Sequence, residues 1–514
     1  MRLHTLELFS KDEIQEIHNA SINILEEIGI NVEDANLRKV LGENGAIITA
    51  DSPYVKFPDS LIKETLKLVP DSFVLYGRDG DYTAKIDTAS TQFATIGTPV
   101  RIYDPGQKKG IRKTVLADTI NQIRIVDSLK HIICSHVDVW PSDVDYLQLH
   151  CHAIKAWVMN SRKPYGLGCF GRLPSQDMMD LLSIVVGGKE ELIRHPRLVG
   201  FFSITSPLAF SQLMTNGFEV FAKYKQPTIL APEALAGSTA PITLAGLLTQ
   251  TNAEILAGVV LSQIYNPGAP VFYGTVSHIT DMRTGNSAMG SVETGLITAG
   301  IAQLGRLYRI PSRGPGCVTD SKVLDMQNGF ERYQTLMLAA QAGCNYITCA
   351  GSYEATLAEA LELLVIDDEL VGMVKRFMEG VEVNENTIAL DVIKRVATST
   401  TKGANYLDDK HTLKHMKTAH FLPSLADRNR RTLWWKKGAK DIVQRAREKV
   451  DKILENQSVS PLDPDKLHAM DEFTKIVARR SYEFYKEAEG MMNKKSSITI
   501  DHVEIFEHNH KNNG

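Results

Sequence analysis

A (β/α)8 barrel, an α/β fold with a small N-terminal α/β region and a C-terminal helical extension, is the architecture this sequence predicts, on two observations. Eight short β-like runs alternate with eight helical runs over about 270 residues, which is the length and rhythm of such a barrel. Several of those runs open just after a Lys-Pro, Gln-Pro, Ala-Pro or Ile-Pro pair. Proline cannot donate to a sheet, so it suits the first position of a strand. A doubly wound open sheet is the alternative. It would announce a Gly-rich phosphate turn after the first strand, whereas ATIGTPVRIYDPGQKKG in that place reads as a hairpin excursion through 100–102, Gly106 and Gly110.

Residues 1–90 read as an N-terminal α/β cap. Ser10-Lys11-Asp12-Glu13 is a capping box before the amphipathic run 14–28. Helices at 35–41 and 58–68 flank β-like pieces at 54–57 and 73–76. The barrel takes residues 91–368. Its strand candidates are 92–97, 132–139, 164–170, 197–204, 227–231, 270–275, 311–314 and 345–349. Its helix candidates are 114–128, 143–161, 174–187, 211–224, 243–265, 287–307, 323–341 and 355–364.

The stretch 311–353 shows one unit of that pattern. A short strand opens into a polar loop, 315–321, and a helix follows with Met326, Phe330, Tyr333, Met337 and Ala340 on one face. Gly343 closes that helix, and the β-rich Tyr346-Ile347-Thr348 comes next. Residues 369–490 change texture: they are charged and helical at 370–379, 387–398, 441–455 and 464–487, and are expected to pack on the barrel. The polar tail, 491–514, carries His502, His508 and His510 and is expected to be poorly ordered unless docked.

The chain has 514 residues, 43% hydrophobic and 23% charged, with a net charge of -4. That balance gives no reason to expect nucleic acid as a partner. No apolar run approaches the roughly 20 residues that span a bilayer, and the first residues lack the apolar core of a signal peptide. The six cysteines show no CxxC spacing, which favours reduced thiols in the cytoplasm over a disulfide scaffold.

In a barrel of this kind the chemistry sits just after the strands. After the second strand, HVDVWPSD offers His136 and Asp138, two apart on a strand and so on one face. They could form a metal pair, but no third ligand is evident, and no metal is expected. After the fifth strand Glu233 is a carboxylate at a loop mouth, suited to a cation. After the sixth lie Tyr273, His278, Asp281 and Arg283, the last two readable as a loop salt bridge. The loop after the seventh offers Arg313, Thr319, Asp320, Ser321 and Lys322.

Aromatic residues cluster at the strand ends: Tyr165 and Phe170, Phe201 and Phe202, Phe272 and Tyr273, Tyr346 and Tyr353. Most such residues pack between sheet and helices. An aromatic-lined mouth with a carboxylate nevertheless favours a quaternary ammonium ligand through cation–π attraction. The sequence has no HExxH, no GxSxG elbow and no phosphate-binding P-loop. Nothing nominates a nucleophile, so a partner or cofactor is expected to carry the chemistry.

Several segments carry a specific resemblance: SPLAFS (206–211), APEALAGSTAPITLAG (231–246), AEILAGVVLSQIYNPGAPVFYG (253–274), DMRTGN (281–286), TDSKVLDMQNGFE (319–331) and VIDDELVGM (365–373). In that order, and with the chain similar from about residue 10 to 490, the sequence resembles the trimethylamine methyltransferase superfamily. The resemblance implies a (β/α)8 barrel that moves a methyl group from an amine to the Co(I) of a separate corrinoid protein. It implies a cobalamin-type cofactor held by the partner, and no nucleotide.

The founding branch of the superfamily carries pyrrolysine in the loop after the seventh strand. Here that loop has Cys317 and Val318, so the resemblance is to the branch without pyrrolysine, which includes glycine betaine:corrinoid methyltransferases. The chemistry agrees, since a quaternary ammonium leaves as a neutral tertiary amine whereas an unactivated tertiary amine leaves as an amide anion. Glycine betaine, proline betaine, carnitine and γ-butyrobetaine all remain open as substrates, and a homo-oligomer is possible. Within this reading Tyr165, Phe202 and Tyr273 are the candidates to hold the trimethylammonium, with Glu233 nearby. Arg313 is favoured for the carboxylate, with His278, Tyr353, Thr319, Asp320, Ser321 and Lys322 around the mouth. The competing readings are a barrel lyase, with Lys322 as its amine, and a betaine-binding protein without catalysis.

Overall fold

The computed structural model describes residues 5–95, 97–136, 139–401, 403–456 and 459–491. Eight strands close into a barrel. They are β1 (Gln92–Ala94), β2 (Ile132–His136), β3 (Tyr165–Gly168), β4 (Leu198–Ile204), β5 (Thr228–Pro232), β6 (Val271–Gly274), β7 (Ser312–Pro315) and β8 (Tyr346–Thr348). Each pairs in parallel with its neighbour in sequence, and β8 returns to β1 with Tyr346 opposite Gln92. After each strand comes one long helix: α1 (Leu116–Ser128), α2 (Leu149–Asn160), α3 (Arg172–Val186), α4 (Gln212–Lys223), α5 (Leu244–Tyr265), α6 (Val292–Tyr308), α7 (Met326–Gln341) and α8 (Leu361–Glu379). The chain is therefore a closed (β/α)8 barrel, and all eight strands lie where the sequence puts them.

Three expectations change. The helix expected at 355–364 is preceded by a hairpin, Ser352–Tyr353 against Ala358–Glu359. Glu354, Ala355 and Thr356 turn it with φ of 53, 51 and 66°, backbone that no helix accepts. The helix then runs unbroken from Leu361 to Glu379, so the boundary expected at 368 falls inside it. Finally, α5 is 22 residues long and apolar enough to cross a membrane by length and composition. It is instead largely buried, against the barrel on one side and the helix Lys11–Glu27 on the other. Its polar residues are satisfied there: Asn252 donates to Ser21 Oγ (2.9 Å) and to Tyr308 Oη (3.0 Å).

The N-terminal region closes the lower end of the barrel. Ser10 and Glu13 form the capping box at the head of Lys11–Glu27. The hairpin Ser72–Tyr76/Thr83–Asp87 brings Phe73 edge-on to Phe272, 5.1 Å between ring centroids. Leu75 and Ile86 join the inward-facing Val199, Ile229 and Phe272 in one buried cluster. Ile30–Val32 pairs with Ala209–Phe210 from the loop after β4, which fastens this region to the barrel.

The C-terminal helices lie against the barrel's helical layer. Ile442–Leu454 packs on α8 and α1, and Pro464–Val477 on α3. Glu489 caps α3 from outside, accepting from the backbone N–H groups of Arg172 and Leu173 at 2.9 Å each. Residues 492–514, with the tail histidines, lie outside the described residues, as does Asp138.

Candidate functional site

The barrel interior is built from alternate residues of each strand. Cys134 and His136 point inward on β2, Gly166 and Gly168 face in on β3, and Val199, Phe201 and Ser203 point inward on β4. Ile229 and Ala231 do so on β5, with Glu233 just beyond its end, Phe272 on β6, Arg313 on β7 and Tyr346 on β8. The lower layer, with Val199, Ile229 and Phe272, is an apolar plug. Above it, at the C-terminal end of the strands, is a cavity of about 260 Å3.

Arg313 and His136 line this cavity together with Trp140, Phe170, Phe201 and Glu233, and with Met214, Met289, Cys349 and Thr356. Arg313 has no exposed surface. Its guanidinium donates to the Thr275 carbonyl and to Thr348 Oγ1, both neutral, while its Nε has no partner among the described residues. Burial pulls its pKa below the usual arginine value, opposed weakly by negative groups that include Glu233. A buried guanidinium with a vacant donor and no bonded carboxylate is suited to an incoming anion.

Beside it are aromatic faces. The Arg313 guanidinium lies over Phe201, 5.7 Å from the ring centroid. Phe170 meets Trp140 edge to face at 5.3 Å, and Trp140 stacks on Tyr146 at 5.9 Å. Gly168 makes room for this arrangement, since a Cβ there would stand 2.2 Å from the Phe170 ring. Gly166 does the same for His136, whose Nδ1 would be 1.8 Å from such a Cβ. His136 Nε2 is 3.0 Å from Tyr346 Oη. Burial, with Arg313 adding to it, pushes the His136 pKa down to about 3, so the ring is neutral.

Of the residues chosen from sequence, Arg313, Glu233 and His136 line the cavity. Three aromatic choices fall one residue out of step. Tyr165 faces outward and stacks on Trp157 at 5.5 Å. Phe202 stacks on Phe218 at 4.7 Å, between strand and helix. Tyr273 also points out of the barrel and donates from its hydroxyl to Asn252 Oδ1 at 2.5 Å. Phe201, beside Phe202, takes the inward place. Its signal was Ser203, a polar residue two positions on in an otherwise apolar strand, which marks that parity as the cavity side.

The remaining choices are held elsewhere. Tyr353 is buried in the hairpin beyond β8, packed with Ala358 and Leu363. His278 is tied to the Val276 carbonyl (2.9 Å) and to Ser287 Oγ (2.5 Å) in a small sheet over the mouth. Arg283 is exposed and pairs with Asp281 at 2.6 Å, the loop salt bridge of the sequence reading.

The loop after β7 folds on itself. Thr319 Oγ1 and the Asp320 N–H both donate to Glu331 Oε2, at 2.6 and 2.8 Å. Ser321 donates to Asp325 Oδ1 at 2.9 Å. Lys322 is exposed and bonds the Asp320 carbonyl at 2.7 Å, away from the cavity lining. A Schiff-base role for it in this cavity is not supported. Among the described residues no cluster of three or more His, Cys, Asp or Glu side chains could hold a metal ion.

Comparison with known proteins bears on this geometry. The model of the family described as trimethylamine methyltransferase matches residues 1–484. The chain is 32% identical over 461 residues to a glycine betaine methyltransferase of Desulfitobacterium hafniense strain Y51, covering 89% of this chain and 94% of that one. It is 33% identical over 464 residues to a trimethylamine methyltransferase of Desulfitobacterium hafniense strain DSM 10664, covering 90% and 92%. Against the trimethylamine methyltransferase of Methanosarcina barkeri it is 32% identical, covering 90% and 93%. The crystal structure of the Methanosarcina barkeri monomethylamine methyltransferase superposes with a TM-score of 0.51 at 14% identity, over 91% of this chain and 87% of that one, a likeness of fold.

Proposed function

The chain belongs to the trimethylamine methyltransferase family, and from that premise we propose that it moves a methyl group from a quaternary-ammonium betaine, such as glycine betaine, to the Co(I) of a corrinoid held by a separate protein. One observation carries the choice of substrate: Arg313, fully buried among the residues that line the cavity, has an Nε without a partner among the described residues and only neutral oxygens bonded to its other nitrogens. A bare methylamine cation would be repelled by that charge. A zwitterion satisfies it and leaves its own cation for the aromatic faces of Phe201, Phe170 and Trp140. Glu233 at the mouth adds favourable potential for the ammonium.

A cavity of about 260 Å3 accommodates a betaine but not a corrin macrocycle. The macrocycle therefore fits only outside it, against the rim formed by the loops that carry Trp140, Phe170 and Glu233. The reduced corrinoid supplies the metal-centred nucleophile that accepts the methyl group. The chain's own part is positioning. Arg313 anchors the carboxylate, the aromatic residues orient the ammonium, and the apolar lining from Met214 and Met289 helps to exclude water. The amine departs neutral, so the step needs no proton from the protein.

Methyl transfer from a panel of glycine betaine, proline betaine, carnitine, γ-butyrobetaine, choline and trimethylamine to a reduced corrinoid protein tests the proposal. Transfer from one or more betaines, and none from trimethylamine, is the expected outcome. Binding without transfer would favour a betaine-binding protein. Borohydride trapping of a substrate adduct would favour the lyase reading.

A further inference from the structure

We propose that His136 is a second carboxylate-binding residue of this cavity, its Nδ1–H donating to the same carboxylate that Arg313 holds. The inference rests on the betaine reading above and names a specificity-determining residue within it.

His136 ends β2, turned into the barrel and 3% exposed, and lines the same cavity as Arg313 from a strand three places round the barrel. One ring nitrogen is engaged, Nε2 at 3.0 Å from Tyr346 Oη. The other, Nδ1, makes no hydrogen bond to another described residue. It occupies the space that a side chain at position 166 would fill. Glycine at that position, on the strand hydrogen-bonded to β2 with Gly166 opposite His136, is what admits the ring.

A neutral imidazole carries a single N–H. When Tyr346 donates to Nε2, that proton is on Nδ1, and an anion in the cavity selects the same tautomer. Protonation is disfavoured by burial and by Arg313, so the ring contributes a donor without a second buried positive charge. Of the five N–H groups of Arg313 two are bonded, to Thr275 and Thr348, and Nε is without a partner among the described residues. His136 adds a donor from a second strand, and a hold from two residues fixes the orientation of the carboxylate as well as its position.

Titration calorimetry of the full chain with glycine betaine and with choline, which has the ammonium but no carboxylate, tests this. His136→Leu removes the donor and keeps an apolar side chain. It is expected to weaken glycine betaine by about tenfold or more, as for a lost hydrogen bond to a charged group, with choline changed less than about threefold. His136→Asn places an amide N–H near the position of Nδ1 and is expected to recover most of the affinity. Equal losses for both ligands in His136→Leu, or no recovery in His136→Asn, overturn the proposal.

The imidazole nitrogen resonances of the wild-type chain give a reading that needs no variant. With glycine betaine bound, Nδ1 is expected to be protonated and Nε2 bare, and the opposite tautomer overturns the assignment. Arg313→Met separates the two levels of the argument. A betaine-selective loss in that variant with none in His136→Leu refutes the role of His136 alone. No selectivity in either variant refutes the betaine site itself.

Discussion

The Arg313 guanidinium lies 5.7 Å from the centroid of the Phe201 ring, inside the barrel and at the wall of the cavity. The two residues are on β7 and β4, and each is held by its own strand rather than by a mobile loop. A cationic group for an anion and an aromatic face for a cation thus stand side by side on rigid elements, which is the combination a zwitterion requires.

Phe201 and Phe202 are adjacent but face opposite ways, one to the cavity and the other to Phe218. Phe201→Ala is expected to weaken a quaternary ammonium ligand by about 0.5–2 kcal/mol, with little change in melting temperature. Phe202→Ala removes a ring stacked on Phe218 and is expected to cost about 3–5 kcal/mol of stability, with affinity retained by the folded fraction. Calorimetric binding and denaturant titration of the two variants check both halves. The reverse pattern would restore the outward parity.

That pair also shows what was legible from sequence. Most of the eight strands are legible as short apolar runs bounded by turn residues and followed by a helix-length stretch, while β7, Ser-Arg-Gly-Pro, is legible only from the Ile-Pro pair that opens it and from its place in the rhythm. The face each strand turns inward was harder to read. A parallel strand inside a barrel is buried on both sides, so the apolar–polar alternation that sets parity is missing. Ring type alone nominates Tyr165, Phe202 and Tyr273, and all three sit on the outer face. Some polar residues within strands mark the inner face, His136, Ser203 and Arg313 among them, as do the glycines 166 and 168, where rings approach the backbone closely, but Ser135, Thr228 and Ser312 are polar and of the opposite parity, so polarity alone does not set it. The hairpin after β8 was hidden for another reason. Its three left-handed residues are Glu, Ala and Thr, with none of the glycine or asparagine that advertises such a turn.

Glu254, on α5, accepts from Ser206 Oγ (2.8 Å), the Leu208 N–H (2.9 Å) and Gln250 Nε2 (3.0 Å), so it fastens the loop after β4. Burial pushes its pKa up to about 7, against the opposing pull of those donors. An acid whose pKa rises on folding binds its proton more tightly in the folded chain. Its contribution is full below the unfolded carboxyl pKa and is lost as pH rises through about 7. Between pH 5 and 8 the stability of the wild type is expected to fall by an amount on the order of 3 kcal/mol from this group. In Glu254→Gln that part of the slope should vanish. Urea titrations across the range check it, and an unchanged slope in the variant would assign the pH dependence to other groups.

Arg332 and Asp367 form a fully buried pair joining α7 to α8, with Arg332 Nε 3.0 Å from Asp367 Oδ1. Arg332 also reaches the Ser352 carbonyl, and the Gly351 N–H donates to Asp367 at 2.7 Å. The pair therefore fixes the loop after β8, which brings Cys349 and Thr356 to the cavity. Arg332→Ala strands a buried carboxylate and is expected to cost about 3–5 kcal/mol. Replacing both partners by apolar residues should cost much less. Denaturant midpoints of the single and double variants check this, and equal losses would place the cost in packing rather than in charge.

The central claim, that the cavity binds a zwitterion through Arg313, is tested most directly by titration calorimetry of wild type and Arg313→Met with glycine betaine and choline. Loss of the buried cation should weaken glycine betaine by tenfold to a hundredfold, as for a lost hydrogen bond to a charged group, while choline binding holds or improves. If glycine betaine and choline weaken alike, Arg313 supports the barrel without reading the carboxylate, and the betaine assignment falls.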